Sequence, residues 1–156
     1  PAEEAGPLAA VLLAAVKYGG PAVRQPETTL PHVPRIAIGT GPKGIPMTFI
    51  SDLSFHTKAL RNNPNCSLLL GEPKAKGDPL THPRITLQCM VNFITCDTEN
   101  HTNIRNHYLK DHPKAKLYID FADFNFALFK IQSASLNGGF GKAYELTAQD
   151  CNPQRS

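Results

Sequence analysis

A chain of 156 residues with 41% hydrophobic and 19% charged side chains has the length and composition of one globular domain that buries a core without covalent staples. That mixture excludes a disordered segment, and a net charge of +3 with scattered Lys and Arg excludes a nucleic-acid footprint, which needs clustered cations interleaved with aromatics. The apolar run "PLAAVLLAAV" is too short to cross a bilayer and lacks the basic leader of a signal peptide, so no membrane contact is expected.

Residues 4–17, "EAGPLAAVLLAAVK", predict a helix with acidic residues near its start and Lys17 at its end, the polarity the helix dipole favours. "YGG" is expected to break it, and "PAVRQPE" to form a short strand. "PHVPRIAIGT" and "GIPMTFISD" read as a hairpin joined through "GTGPKG", with the prolines marking strand starts, edges or bulges. "SFHTKALRNN" predicts a short helix halted by Pro64, and "CSLLLGE" a strand. A Pro- and Gly-rich loop, "PKAKGDPLTHP", leads to "RITLQCMVNFIT", expected to be the longest strand. Its Ile85, Leu87, Cys89, Val91 and Phe93 fall on one face and Thr86, Gln88, Met90 and Asn92 on the other.

"CDTENHTNIRNHYLKDH" opens with capping residues and places Ile104, Tyr108 and Leu109 at helical spacing. "PKAKLYIDFAD" reads as a second, shorter helix. "FNFALFKIQSASLNGGFGKAYEL" reads as two strands around a Gly-Gly turn, and "TAQDCNPQRS" as a frayed tail. Consecutive strands, roughly six or seven with three or four helices inserted, predict an α+β fold, an antiparallel barrel with peripheral helices. One domain over residues 1–156, with an ordered core over about residues 7–147, is the expected organisation. Cys66, Cys89, Cys96 and Cys151 form no CxxC pair and no metal-ligand rhythm, so they read as reduced, structural thiols of a cytoplasmic protein, with no metal site.

The segment "ISDLSFHTKALRNNP" carries the strongest site signal. A helix beginning at Ser54 leaves the N–H groups of Phe55, His56, Thr57 and Lys58 open, and with the Ser51 and Thr57 hydroxyls these could wrap a phosphate. Lys58, in the first turn where the dipole repels cations, would neutralise that anion, and His56 would add a donor. The plain alternative is an ordinary Asp52 or Ser54 cap beside a solvated lysine. Arg35 in "VPRIAIGT" and Arg84 in "HPRITLQ" each stand at a strand entrance, suited either to an edge or to bidentate capture of an anion. The six histidines show no metal spacing, and Asp120 and Asp123 in "DFADF" read as caps. "GGFGKA" is unusual in setting Phe140 among glycines, which allow close backbone approach.

The succession "ISDLSFHTKALRNNPNCSLLLGEP", "GDPLTHPRITLQ", "YLKDHPKAKLYIDFADFNFALFKI" and "GGFGKA" resembles the haem-utilisation branch of the pyridoxamine 5′-phosphate oxidase-like proteins, over nearly all of residues 10–147. The resemblance implies a split β-barrel that forms a homodimer, with flavin mononucleotide (FMN) in clefts between the subunits. Carried over residue by residue, it assigns the FMN phosphate to Arg35 and to the turn at Ser51, His56, Thr57 and Lys58, and the approach to the flavin to Arg84 and Gln88. Thr40 stands where many of those oxidases have a lysine, and their C-terminal Arg and His motif has no counterpart, which argues against that particular oxidase activity. The last histidine is His112, so the C-terminal iron ligand of haem-degrading members has none either. The resulting expectation is an FMN-dependent oxidoreductase acting on a small molecule, with no residue singled out as catalytic. Haem or another tetrapyrrole, bound or degraded, is the first alternative, and a cofactor-free dimeric interaction protein is the other.

Overall fold

Helix α1 (Ala2–Ala15) carries Glu3 and Glu4 in its first turn and accommodates Pro7. β1 (Tyr18–Arg24) follows, then three two-residue strands, β2 (Pro31–His32), β3 (Ile36–Ala37) and β4 (Gly39–Thr40), and then β5 (Pro46–Ser51). Helix α2 (Phe55–Asn62) leads into β6 (Asn65–Leu70) and β7 (Arg84–Phe93). Helix α3 (Glu99–Asp111) precedes β8 (Phe124–Asn137) and β9 (Ala143–Thr147). The computed structural model describes residues 2–96 and 98–152.

All pairings are antiparallel, in the order β2-β1-β6-β7-β8-β5-β4, with β3 also on β1 and β9 also on β8. Closure of the sheet follows from residues 36–40. Ile36 and Ala37 pair with Gly19 and Tyr18 near one edge, while Gly39 and Thr40 pair with Met47 and Pro46 at the other. One short segment therefore clips both ends of the sheet together, which makes the barrel. The expected α+β class and antiparallel split barrel are what the chain adopts.

Period-2 alternation explains the core. On β7, Ile85, Leu87, Cys89 and Val91 are buried, while Gln88, Met90 and Asn92 face out. Leu87 stands opposite Leu68 and Ala134, so three strands contribute to one apolar layer. A smaller cluster, including Met47, Phe49, Ile104, Tyr108 and Phe126, seats α3 against the sheet. Among the described residues no helix is long and apolar enough to cross a membrane.

Several expectations are corrected. Among the described residues there are nine strands: residues 31–40 form three fragments, β2, β3 and β4, in place of one continuous arm, with Pro34 lying between β2 and β3, while β4 and β5 pair antiparallel across residues 41–45 as the hairpin expectation has it. "YGG" does follow the end of α1 at Ala15, but it also opens β1, three residues before the expected strand start at Pro21. Gly19 lets Leu70, Ile38 and Leu68 pack against the strand, since a Cβ there would lie 2.6, 3.1 and 3.2 Å from their side chains inside the barrel. β8, with 14 residues, exceeds the ten of β7, since a register shift opposite Gln88 and Cys89 lets it bend and pair on with β5 and β9. Residues Pro113–Leu117 form a 3₁₀ turn, not an α-helix. Cys151 is buried in the main core, and Asp150 accepts from the Thr147 N–H and hydroxyl, so the chain is folded to Asn152 rather than frayed from 147. Residues 153–156 lie outside the described residues.

α1 ends at Ala15, so Lys17 serves no helix end. Its Nζ lies 2.9 Å from Asp111 Oδ1, while Oδ2 accepts the Thr40 N–H at 2.7 Å. Burial raises the Asp111 carboxyl, but Thr40, Lys17 and neighbouring His112 together outweigh it and hold the group below its ordinary value. His112 Nε2 donates to the Ile38 carbonyl at 2.7 Å, which ties α3 to the barrel-closing segment.

Candidate functional site

The outer face of the sheet is where ligands have room. Gly19 faces the core, so its neighbours Tyr18 and Gly20 face outward, and Gly20 pairs with Leu69. A cleft of about 600 Å³ lies on this surface, walled by Val33, Pro34 and Arg35 and by Gly71 to Pro73. That volume is in the ordinary range for small-molecule and cofactor sites. Gly20 forms its floor, where a Cβ would come 3.3 Å from Val33 Cγ1 and so fill the opening. Tyr18, Val33 and Leu69 are 46%, 63% and 50% exposed, and Arg35 lines the same cleft. Exposed apolar clusters of this kind mark ligand or partner surfaces.

A second cleft of about 640 Å³ lies between α1 and residues 71–83, lined mainly by Leu8, Val11, Leu12, Ala15 and Val16. It meets the first at Tyr18, Gly71 and Glu72. A third, of about 650 Å³, runs lower on the outer face past Arg24, Ser67 and Gln88.

The residues assigned to FMN from the sequence are placed as follows. Arg35 lines the first cleft and makes no ion pair among the described residues. Ser51 donates to Asp123 Oδ2 at 2.7 Å and accepts from the Leu53 N–H, so it ties two loops. At the start of α2, Ser54 supplies no side-chain cap. His56 there is half-buried, and that burial, with His32 close by, holds its imidazole below the ordinary value. Thr57 is wholly buried, and its hydroxyl has no hydrogen-bond partner among the described residues. Lys58 is exposed and unpaired among them. Arg84 Nη1 donates to the Leu80 and His82 carbonyls at 2.9 and 3.3 Å. Gln88 accepts from the Ser67 hydroxyl at 3.0 Å in the third cleft.

One chain therefore gathers His56, Thr57 and Lys58 at the start of α2, but holds Arg35 in the lining of the first cleft, Arg84 on loop carbonyls beside Gly71 and Gln88 in the third cleft. Sequence reasoning missed Tyr18, Gly20, Val33 and Leu69. A usable signal was present in "CSLLLGE": a strand apolar at every step must present an apolar residue outward, here Leu69 between the buried Leu68 and Leu70.

Other groups are excluded as reactive centres. Burial pushes the Cys66 and Cys151 thiols up to about 11 and raises Cys89 further, with Cys66 and Cys151 close by, so none presents a thiolate near neutral pH. Phe140 is 95% exposed at the β8–β9 turn and lines none of the three clefts. Among the described residues no three of His, Cys, Asp and Glu gather as metal ligands.

Comparisons with known proteins follow this geometry. One solved chain is 38% identical, with a TM-score of 0.86, over 96% of this chain and 95% of its own length. A haem-binding protein from Mycobacterium smegmatis is 26% identical, with a TM-score of 0.86, over 95% of this chain and 60% of its own. The non-canonical haem oxygenase HOZ of Arabidopsis thaliana chloroplasts is 34% identical over 83 residues, 53% of this chain and 24% of that protein. The chain thus spans about a quarter of the length of its curated relative. The family described as "CREG, beta-barrel" matches residues 24–151, most of the barrel just described, and the chain belongs to that family.

Proposed function

We propose that this chain binds haem, or a tetrapyrrole closely like it, in the cleft between β1, β6 and residues 33–35. The observation that carries the reading is an open cleft with exposed Val33 and Leu69 about Gly20 and with Arg35, unpaired among the described residues, in its lining. A flat macrocycle needs an unobstructed apolar face, and its propionates need a cation. The names of the two relatives, a haem-binding protein and a haem oxygenase, favour the same ligand. Bound haem would supply iron-centred redox chemistry, and the chain's part is to seat the ring and balance its charge. A homodimer, as expected from the resemblance, belongs to the same reading, with a second copy covering the open outer face.

Ferric haem titrated into the protein is expected to shift its Soret band to saturation. Arg35→Ala removes one charge-assisted contact and should weaken binding by roughly tenfold. A Soret band that never departs from that of free haem sinks the reading, as does binding indifferent both to Arg35→Ala and to Leu69→Glu.

An FMN-dependent oxidoreductase acting on a small molecule is the second reading, favoured by the uncapped α2 start with Lys58 in its first turn. A bound flavin would supply hydride or electron chemistry while these residues held its phosphate. Thr57 separates the two cases. Its buried, unpartnered hydroxyl costs stability, so Thr57→Val is expected to raise stability by about 1 kcal/mol and Tm by a few degrees. A drop in FMN affinity on the same substitution, followed by flavin fluorescence, would instead place the hydroxyl on the phosphate.

A further inference from the structure

We propose that Tyr18 is the iron-binding residue of this cleft, its phenolate oxygen serving as the axial ligand of ferric haem. The proposal rests on the haem reading above and names the ligand that reading leaves open. The two joined clefts present few side chains with a donor atom for iron, chiefly Tyr18, His82 and Glu72.

His82 cannot serve as it stands. Its Nδ1 accepts the Lys74 N–H at 2.9 Å, which places the ring proton on Nε2 and leaves that nitrogen without a lone pair for the metal. The other histidines line neither cleft. His112 is committed to the Ile38 carbonyl, and His32 packs edge-on against Phe55 with ring centroids 5.0 Å apart. Glu72 is an exposed carboxylate beyond Gly71, at the cleft rim, and no hydrogen bond or ion pair among the described residues orients it.

Tyr18 has the needed placement. It stands where the two clefts meet, on the outward face beside Gly20. Its ring is held edge-on by His112 at 6.1 Å, and His112 is itself anchored, so the phenol is positioned while no hydrogen bond among the described residues takes its hydroxyl. Ferric iron is a hard cation that favours anionic oxygen, and tyrosinate is an established haem ligand in catalase. Coordination forms the Fe–O bond and breaks the phenolic O–H, releasing one proton to solvent with no change in oxidation state.

The test compares ferric haem with iron-free protoporphyrin IX in wild-type protein, Tyr18→Phe and His82→Ala. Tyr18→Phe keeps the ring and its contact with His112, so folding is preserved, and circular dichroism checks it. The expected result is a phenolate-to-iron charge-transfer band, with phenolate modes in the resonance Raman spectrum, in wild type and His82→Ala. Tyr18→Phe should lose both signatures and bind ferric haem at least about tenfold more weakly, yet bind protoporphyrin IX within about twofold of wild type. An unchanged ferric spectrum in Tyr18→Phe, or loss of the signature in His82→Ala instead, overturns the assignment while haem binding stands. Wild-type protein that takes up neither porphyrin overturns the haem reading itself, and this assignment with it.

Discussion

Gly71→Ala is expected to cost the fold about 3 kcal/mol or more, one of the largest losses available to a single methyl group. Gly71 has φ +104°, in the left-handed region that side chains resist. A Cβ there would lie 2.7 Å from the Pro83 carbonyl oxygen and 2.9 Å from Arg84 Cα. Both obstacles are backbone at the entrance to β7, so no rotamer change relieves them. Because Gly71 also sits where the first two clefts meet, displacement there would disturb the proposed ligand site. Urea denaturation measures the cost, and a stability within about 0.5 kcal/mol of wild type would show that residues 71–84 can yield.

Phe126→Ala should lose about 3–5 kcal/mol, by transfer of a large aromatic to water and the cavity left behind. Phe126 is fully buried on β8, with Phe49 at 4.5 Å and Tyr108 at 5.7 Å between centroids and His101 edge-on at 5.3 Å. It joins α3 to the sheet, so the loss should fall unevenly. Amide exchange is expected to accelerate in α3 before it does in β7, which belongs to the other core cluster. Uniform acceleration along the chain would mean that the two clusters unfold as one unit.

Much of the architecture was legible without coordinates. The alternation in "RITLQCMVNFIT" assigns the inner and outer faces of β7 as they stand, and Pro64 marks the end of α2. These features are local: a side-chain period or a missing N–H acts within a few residues. The hairpin across residues 41–45 holds, but residues 31–40 were read as one arm because fragments two residues long carry no periodicity to separate them. What decides their pairing is which distant edge each can reach.

The site was less legible for the same reason. Ser51, read as a phosphate ligand, is engaged by Asp123, and Arg84 by the carbonyls of residues 80 and 82. Whether a polar group is free for a ligand depends on such partners, and chain order does not reveal them. Tyr18 and Gly20 looked like a helix breaker until sheet pairing put them beside Leu69 on an open face.

The amino-acid order by itself determined the barrel class, the faces of its longer strands and the α2 start rich in potential anion-binding groups. Only the tertiary structure decided how the barrel closes, which hydrogen-bonding groups are already satisfied, and where a cleft with exposed apolar side chains gains Arg35, which makes no ion pair among the described residues. Backbone propensity and side-chain period act over one or two turns, whereas closure and clefts arise between residues far apart in the chain that packing brings into contact.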